Sequence, residues 1–386
     1  MKVTISVKGR FHLFYLASEL QRHGHLDRLI TSYPAFETVK YGVEHDKIKS
    51  LFVHEADRMW RRAPSFLRGL FNPQWLTSEL FDVHASHHIS EDTDIFVGLS
   101  SSSLHSLRRA KRYGAKTIVE RGSTHMLYQR DILLEEYSRF GLKARVAHPK
   151  IVEKELAEYA EADHVSIPSQ FVKRTFLERG VSEDKLIHVP YGVDLAHFHP
   201  IPKQDDVFRV VFCGTSSLQK GVHYLLQAFS ELELPRAELW LIGNMTDEIQ
   251  PFLAKFSSAA VLHKGPFPEF ELHKYYSQGS VFCLASIQEG LAMVLPQAMA
   301  CGLPVICTTN TGGEDMVRHA QDGFVVPIRD VEALKEKILF FYENPEACVE
   351  MGSAAQQRVK SGFTWTEYGD KMVAQYERIL EGKGGL

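Results

Sequence analysis

Two rhythms of apolar residues alternate along this chain. Short, largely apolar runs at 1–7, 26–31, 94–99, 115–120 and 164–168 predict buried strands. Between them apolar residues fall three and four apart, as in Leu13, Leu16, Ala17 and Leu20, which predicts a helix closed by Gly24. Further helices are predicted over 104–113, 126–140, 151–162 and 170–179, the last capped by Ser169 and ended by Gly180. After a break the alternation resumes. Strands are predicted at 208–213, 237–242, 261–263, 281–286, 305–308 and 324–327. Helices follow most of them, including one carrying Tyr224, Leu225, Ala228 and Phe229, and others over 269–277 and 314–319. Pro296 suits a first helical turn, with Gly302 at that helix's end. The tail is helical: 330–342 with Val331, Leu334, Ile338 and Phe341 on one face, a segment opened by Pro345, and 367–380.

Strand–helix alternation of this kind predicts α/β architecture with parallel, doubly wound sheets. The break at 186–206 holds Pro190, Gly192 and Pro200 and a charged spacer to Asp206, the composition of a hinge. Residues 40–92 are less regular. Within them Met59-Trp60-Arg61-Arg62 and Phe66–Phe71 interleave basic and bulky apolar residues. We read them as packing against the core, the alternatives being an acceptor-binding flap or an interfacial segment that touches a membrane.

At 386 residues the chain is expected to form two domains. With 44% hydrophobic and 24% charged residues it has the composition of an ordinary globular protein. The net charge of -4 argues against general nucleic-acid binding. The five cysteines (Cys213, Cys283, Cys301, Cys307 and Cys348) lack metal-ligand spacing and sit in apolar contexts, which suggests reduced thiols. The first seven residues read as a strand rather than a signal peptide, and no apolar run approaches the ~20 residues of a membrane span. The expected location is cytoplasmic, with peripheral contact at the inner membrane face as the alternative. The sequence leaves the oligomeric state open.

The candidate chemistry lies in the loops that follow strands, where open α/β sheets bind ligands. The first loop contains Gly9 and Arg10 but no GxGxxG pattern, so a nicotinamide role has little support. Another loop reads Glu120-Arg121-Gly122-Ser123-Thr124-His125, and a third runs Gly214-Thr215-Ser216-Ser217-Leu218-Gln219-Lys220-Gly221. A lysine at the top of a first βα loop can meet a diphosphate as a point charge. The stretch 286–317 combines Glu289, a following Gly290, a helix and a second Gly312-Gly313 turn. Backbone N–H groups over 289–294 can receive an anion there, while Glu289 accepts from hydroxyls, a mixture that suits a nucleotide sugar.

This stretch resembles the donor-site signature of GT-B glycosyltransferases of family 4, which reads Glu, seven residues, Glu. Glu289 stands at the first acid, and Gln297 replaces the second, which in that family holds the ribose hydroxyls. The likeness extends over nearly the whole chain, including Pro190-Tyr191-Gly192-Val193-Asp194 with Phe198 and Pro200 at the end of the first half. It implies two Rossmann-like domains facing across a cleft: 1–200 on the acceptor side, 201–365 on the donor side, and a helix 366–386 returning to the first. It implies retaining, metal-independent transfer of a sugar from a nucleotide diphosphate to a hydroxyl, with no cofactor. On this reading Lys220, Glu289 and His125 are the catalytic candidates, with His125 beside the donor sugar. Gly9, Thr215, Ser216, Gly265, Phe267, Gly290, Leu291, Ala292, Met293 and Gln297 join Lys220 and Glu289 around the donor. Arg10, Glu120, Arg121 and Ser123 are acceptor-side candidates. Relatives usually place an arginine where Thr215 stands, so half of the expected cationic clamp is missing. An epimerase of the same fold and a two-domain binding protein are the rival readings.

Overall fold

The computed structural model describes residues 1–9, 11–51, 73–144, 146–256 and 258–382. Two parallel sheets form among them. The first has the order β3-β2-β1-β4-β5-β6-β7 and the second β10-β9-β8-β11-β12-β13. Strand β1, Val3–Val7, is buried at every position, which explains its largely apolar run; it lies between β2, Leu26–Thr31, and β4, Ile95–Leu99. Strands β5, Lys116–Glu120, β6, His164–Ile167, and β7, Leu186–His188, extend this sheet on one side, and β3, Ile48–Ser50, edges it on the other. In the second sheet β8, Phe208–Cys213, is central between β9, Ala237–Ile242, and β11, Val281–Leu284. Strand β10, Val261–Gly265, closes one edge, and β12, Val305–Thr308, and β13, Gly323–Val326, the other.

Each sheet reverses its winding once, between β1 and β4 and between β8 and β11. The loops leaving those four strands are Gly9–His12, the serine turn at 100–103, Gly214–Gly221 and the turn before Gly290. Ligands of doubly wound sheets bind at such switch points.

The halves join through two adjacent crossings. Val193 bridges Thr364, and its N–H donates to the Phe363 carbonyl at 2.8 Å. Thr364 then caps the last helix, Trp365–Leu380, through a capping box with Glu367. This helix lies on Leu13–Arg22 of the first domain: Tyr15 stacks on Trp365 at 4.2 Å, and Gly369 admits the Glu19 side chain.

Several elements depart from the pattern. Helix Gln74–Ser86 was not anticipated because its buried face carries Thr77, Ser78, Asp82 and Ser86 beside only Phe81 and Ala85. Asp82 makes that face stable: it accepts from the His105 and Ser106 amides and pairs with Lys154 at 2.7 Å. Gln250–Phe256 is a second helix outside the expectation. The helix expected at 314–319 reduces to one tight turn, Gly313–Asp315, and that over 269–277 to a turn followed by Leu272–Tyr276. The basic-aromatic segments at 59–62 and 66–71 lie outside the described residues. No described helix is long and apolar enough to cross a membrane.

Candidate active site at the cleft between the domains

The loop after β8 and the loop after β11 converge because one of them has no side chain at the contact. A Cβ on Gly221 would lie 1.8 Å from the Ala285 carbonyl oxygen, and its φ of +63° also favours glycine. That approach brings Lys220 Nζ to 2.5 Å from Glu289 Oε1. Ser286 donates to the same carboxylate oxygen at 3.0 Å. Both charged side chains keep some solvent contact, 25% for Lys220 and 13% for Glu289. The pair therefore closes on itself yet can exchange partners with a ligand.

Residues 290–293 form the rest of this wall. Leu291 and Ala292 are buried, Met293 half-buried. The Glu289 and Ala292 amides bond to the carbonyls of Asn310 and Thr311, which fixes the loop. Gly290 is one point where the domains touch: a Cβ there would lie 2.0 Å from the Gly122 carbonyl oxygen, and its own carbonyl accepts from Ser169 Oγ at 2.8 Å. Beside it, Gln288 Nε2 donates to Ser123 Oγ and Thr124 Oγ1, both at 2.8 Å. Ser123 thus lies on the seam between the halves.

The other donor-side candidates spread around this point. Thr215 is exposed and Ser216 buried, its Oγ without a partner among the described residues. Gly265 is left-handed at φ +77°, and Phe267 stacks on Tyr275 with centroids 3.9 Å apart. Gln297 is 5% exposed and accepts from the Tyr276 hydroxyl at 3.3 Å through Oε1. Gly9 has φ +106° and donates to Ser32 Oγ at 3.0 Å. Arg10 lies outside the described residues. Among those residues no group of three or more His, Cys, Asp or Glu is placed to hold a metal ion. Burial pushes the thiols up, Cys213 to about 11 and Cys307 to about 12.

Three candidates, His125, Arg121 and Glu120, are buried. His125 finds its partners in its own domain. Its ring packs against Tyr159 and Phe176, its Nδ1 accepts from the Leu127 amide as a helix cap, and it lines a hollow of about 330 Å³ with Leu156, Ala160 and Val181 of its own domain. Burial, reinforced by Arg121 and Arg179, lowers its pKa to about 4. Arg121 is also internal. It donates to the Thr124 carbonyl at 2.9 Å and pairs with Glu155 at 3.0 Å, holding the turn that carries Ser123. Glu120 is 1% exposed and takes His12 Nε2 at 2.9 Å.

His12 itself was overlooked. Its place at the end of the first loop, beside Gly9 and Arg10, was the available signal. In the structure the ring stacks on Tyr191 at 4.1 Å and approaches Gly122.

The whole chain resembles solved structures. It matches sucrose-phosphate synthase from Thermosynechococcus elongatus with a TM-score of 0.73, 19% identity and coverage of 99% of this chain and 100% of that one. It matches HepE of Anabaena, solved in complex with UDP, at 0.71 and 15% identity, covering 98% and 100%. At such identities the likeness concerns the fold, which is that of GT-B glycosyltransferases. Among curated sequences it is 26% identical over 235 residues to a GDP-mannose-dependent monoacylated alpha-(1-6)-phosphatidylinositol monomannoside mannosyltransferase of Corynebacterium glutamicum, 55% of this chain and 61% of that protein. It is 26% identical over 263 residues to D-inositol 3-phosphate glycosyltransferase 1 of Catenulispora acidiphila, 62% of this chain and 63% of that protein. The chain thus spans about three fifths of the length of these curated relatives. Residues 195–358, which contain Lys220, Glu289 and the whole second sheet, match the family model described as glycosyl transferases group 1.

Proposed function

We propose that this chain is a retaining, metal-independent glycosyltransferase of family 4 type that moves a hexosyl group from a nucleotide-diphosphate sugar to a hydroxyl acceptor. One observation carries the reading: Lys220 and Glu289 meet at 2.5 Å where the second sheet reverses its winding, in the region that matches group 1 glycosyl transferases. A cation and a hydroxyl acceptor side by side fit the two ends of an activated sugar.

On this reading the donor displaces the internal pair. Lys220 turns to the diphosphate and stabilises the charge that grows as it leaves. Glu289, freed from Lys220, takes sugar hydroxyls beside Gly290, Leu291, Ala292 and Met293. Thr215 and Ser216 line the phosphate side, Gly265 and Phe267 the base, and the Gln297 amide the ribose. In the transfer step the acceptor oxygen bonds to the anomeric carbon. The bond from that carbon to the diphosphate oxygen breaks, its electron pair leaves with the diphosphate, and that oxygen takes the acceptor's proton. Attack and departure on one face retain configuration. Closure of the cleft around Gly122 and Gly290 excludes water. The named neighbours suggest UDP or GDP donors.

The test incubates the protein with UDP-glucose or GDP-mannose and a hydroxyl acceptor such as glycerol, glucose or myo-inositol, with and without EDTA, and follows the anomeric proton of the product by NMR. The expected product keeps the α configuration, and EDTA does not change the rate. A β product overturns retention, EDTA sensitivity overturns metal independence, and an epimerised donor without transfer overturns the transferase reading.

A further inference from the structure

His12, Glu120 and Tyr191 form a buried polar site beside the cleft that the roles above leave unused. His12 is 4% and Glu120 1% exposed. Glu120 Oε1 holds His12 Nε2 at 2.9 Å. With Nε2 as the N–H donor to this oxygen, Nδ1 is the ring's lone-pair acceptor. Although His12 stands at the cap of helix Leu13–Arg22, its side chain makes no capping hydrogen bond. The Cε1–Nδ1 edge faces Gly122: a Cβ there would lie 3.5 Å from Cε1 and 3.9 Å from Nδ1. Gly122 also meets the donor loop: a Cβ on Gly290 would lie 2.0 Å from the Gly122 carbonyl oxygen. Two further polar atoms here, Glu120 Oε2 and the Tyr191 hydroxyl, are buried with no partner among the described residues. Buried polar atoms left unpaired mark a place completed by a hydroxyl or a water.

We propose that His12 is an acceptor-binding residue whose Nδ1 takes a hydrogen bond from a hydroxyl of the acceptor, with Glu120 behind it as the positioning residue that fixes the ring and its tautomer. The inference rests on the glycosyltransferase reading and deepens it, since it gives the acceptor a partner in the first domain. The acceptor it selects is a polyol, with one hydroxyl to react and another to be held.

The test measures nucleoside diphosphate release from UDP-glucose or GDP-mannose as glycerol, glucose or myo-inositol is added. His12→Phe keeps a ring on Tyr191 but removes the nitrogen, and it is expected to raise the polyol KM about tenfold, the loss of one hydrogen bond. The thermal shift produced by UDP or GDP stays as in the wild type. His12→Gln, which keeps an acceptor, recovers part of the loss, and Glu120→Gln falls between; these two serve if the phenylalanine variant does not fold. An unchanged polyol KM in all three variants overturns the inference, as does a nucleotide shift lost in step with transfer. A wild type that binds nucleotide but gains nothing from any polyol contradicts the inference alone. One that binds neither nucleotide contradicts the reading beneath it.

Discussion

His125 and His12 show how far a single residue type can be read. Both follow a strand end, at positions where a doubly wound sheet exposes its loops. The difference lies in burial and partners. His125 serves as a neutral helix cap packed on Tyr159 and Phe176, whereas His12 is held by a buried carboxylate. No periodicity separates these cases, because the deciding contacts come from other elements, Glu120 for His12 and Tyr159 and Phe176 for His125. His125 also carries a pH prediction. Its folded pKa of about 4 lies below the 6.5 of an unfolded histidine. Above 6.5 both states are neutral and the residue adds no slope. As pH falls below 6.5 the unfolded chain takes a proton that the fold refuses, so stability drops until about pH 4, by about 3 kcal/mol in all. His125→Asn keeps a capping side chain without titrating. Thermal melts between pH 7 and 4.5 should fall less steeply for this variant, and parallel curves would assign the acid sensitivity elsewhere.

At the scale of elements the strands and most helices were legible because the central strands are buried on both faces and most helices on one. Glycines give the finer test, since the same substitution has different consequences by position. Gly221 and Gly24 are both left-handed, at φ +63° and +73°, but a Cβ meets the Ala285 carbonyl at the first and nothing within 4 Å at the second. Gly221→Ala should cost about 3 kcal/mol, strain plus a backbone clash, and Gly24→Ala about 1 kcal/mol, strain alone. Chemical unfolding of the two variants checks this, and equal losses would show that the two loops do not pack as described. Helix Gln74–Ser86 marks the limit of pattern reading. Its inward face is polar, and the pairing of Asp82 with Lys154 that permits this cannot be seen until helix Pro149–Glu161 is in place.

Over the whole molecule the two halves are held by more than the crossing segments. Glu136 of the first domain is fully buried and receives His223 Nε2 at 3.0 Å, the Tyr224 hydroxyl at 2.9 Å and Arg329 Nε at 2.7 Å, all from the second. Arg174 adds a bond to Glu314 at 2.7 Å. His223 and Tyr224 begin the helix that follows Lys220-Gly221, so this contact ties the first domain to the loop bearing the lysine. Glu136→Ala leaves the buried His223 and Tyr224 without their carboxylate and Arg329 with Glu135 alone, and should cost about 3 kcal/mol. Calorimetry should then show two transitions in place of one, while a single transition at the wild-type temperature would mean that the halves do not depend on this contact.

The central claim is that Lys220, at the meeting of two loops in the second sheet, holds a nucleotide diphosphate. Calorimetric titration of UDP and GDP into the wild type and Lys220→Ala tests it most directly. The partly exposed pair with Glu289 contributes about 1 kcal/mol to stability, so the variant should melt within a few degrees of the wild type. Its affinity for the nucleotide that binds the wild type should fall at least about tenfold, the scale of one charge-assisted contact. Equal affinity in the two proteins, or no binding of either nucleotide to the wild type, would contradict the account.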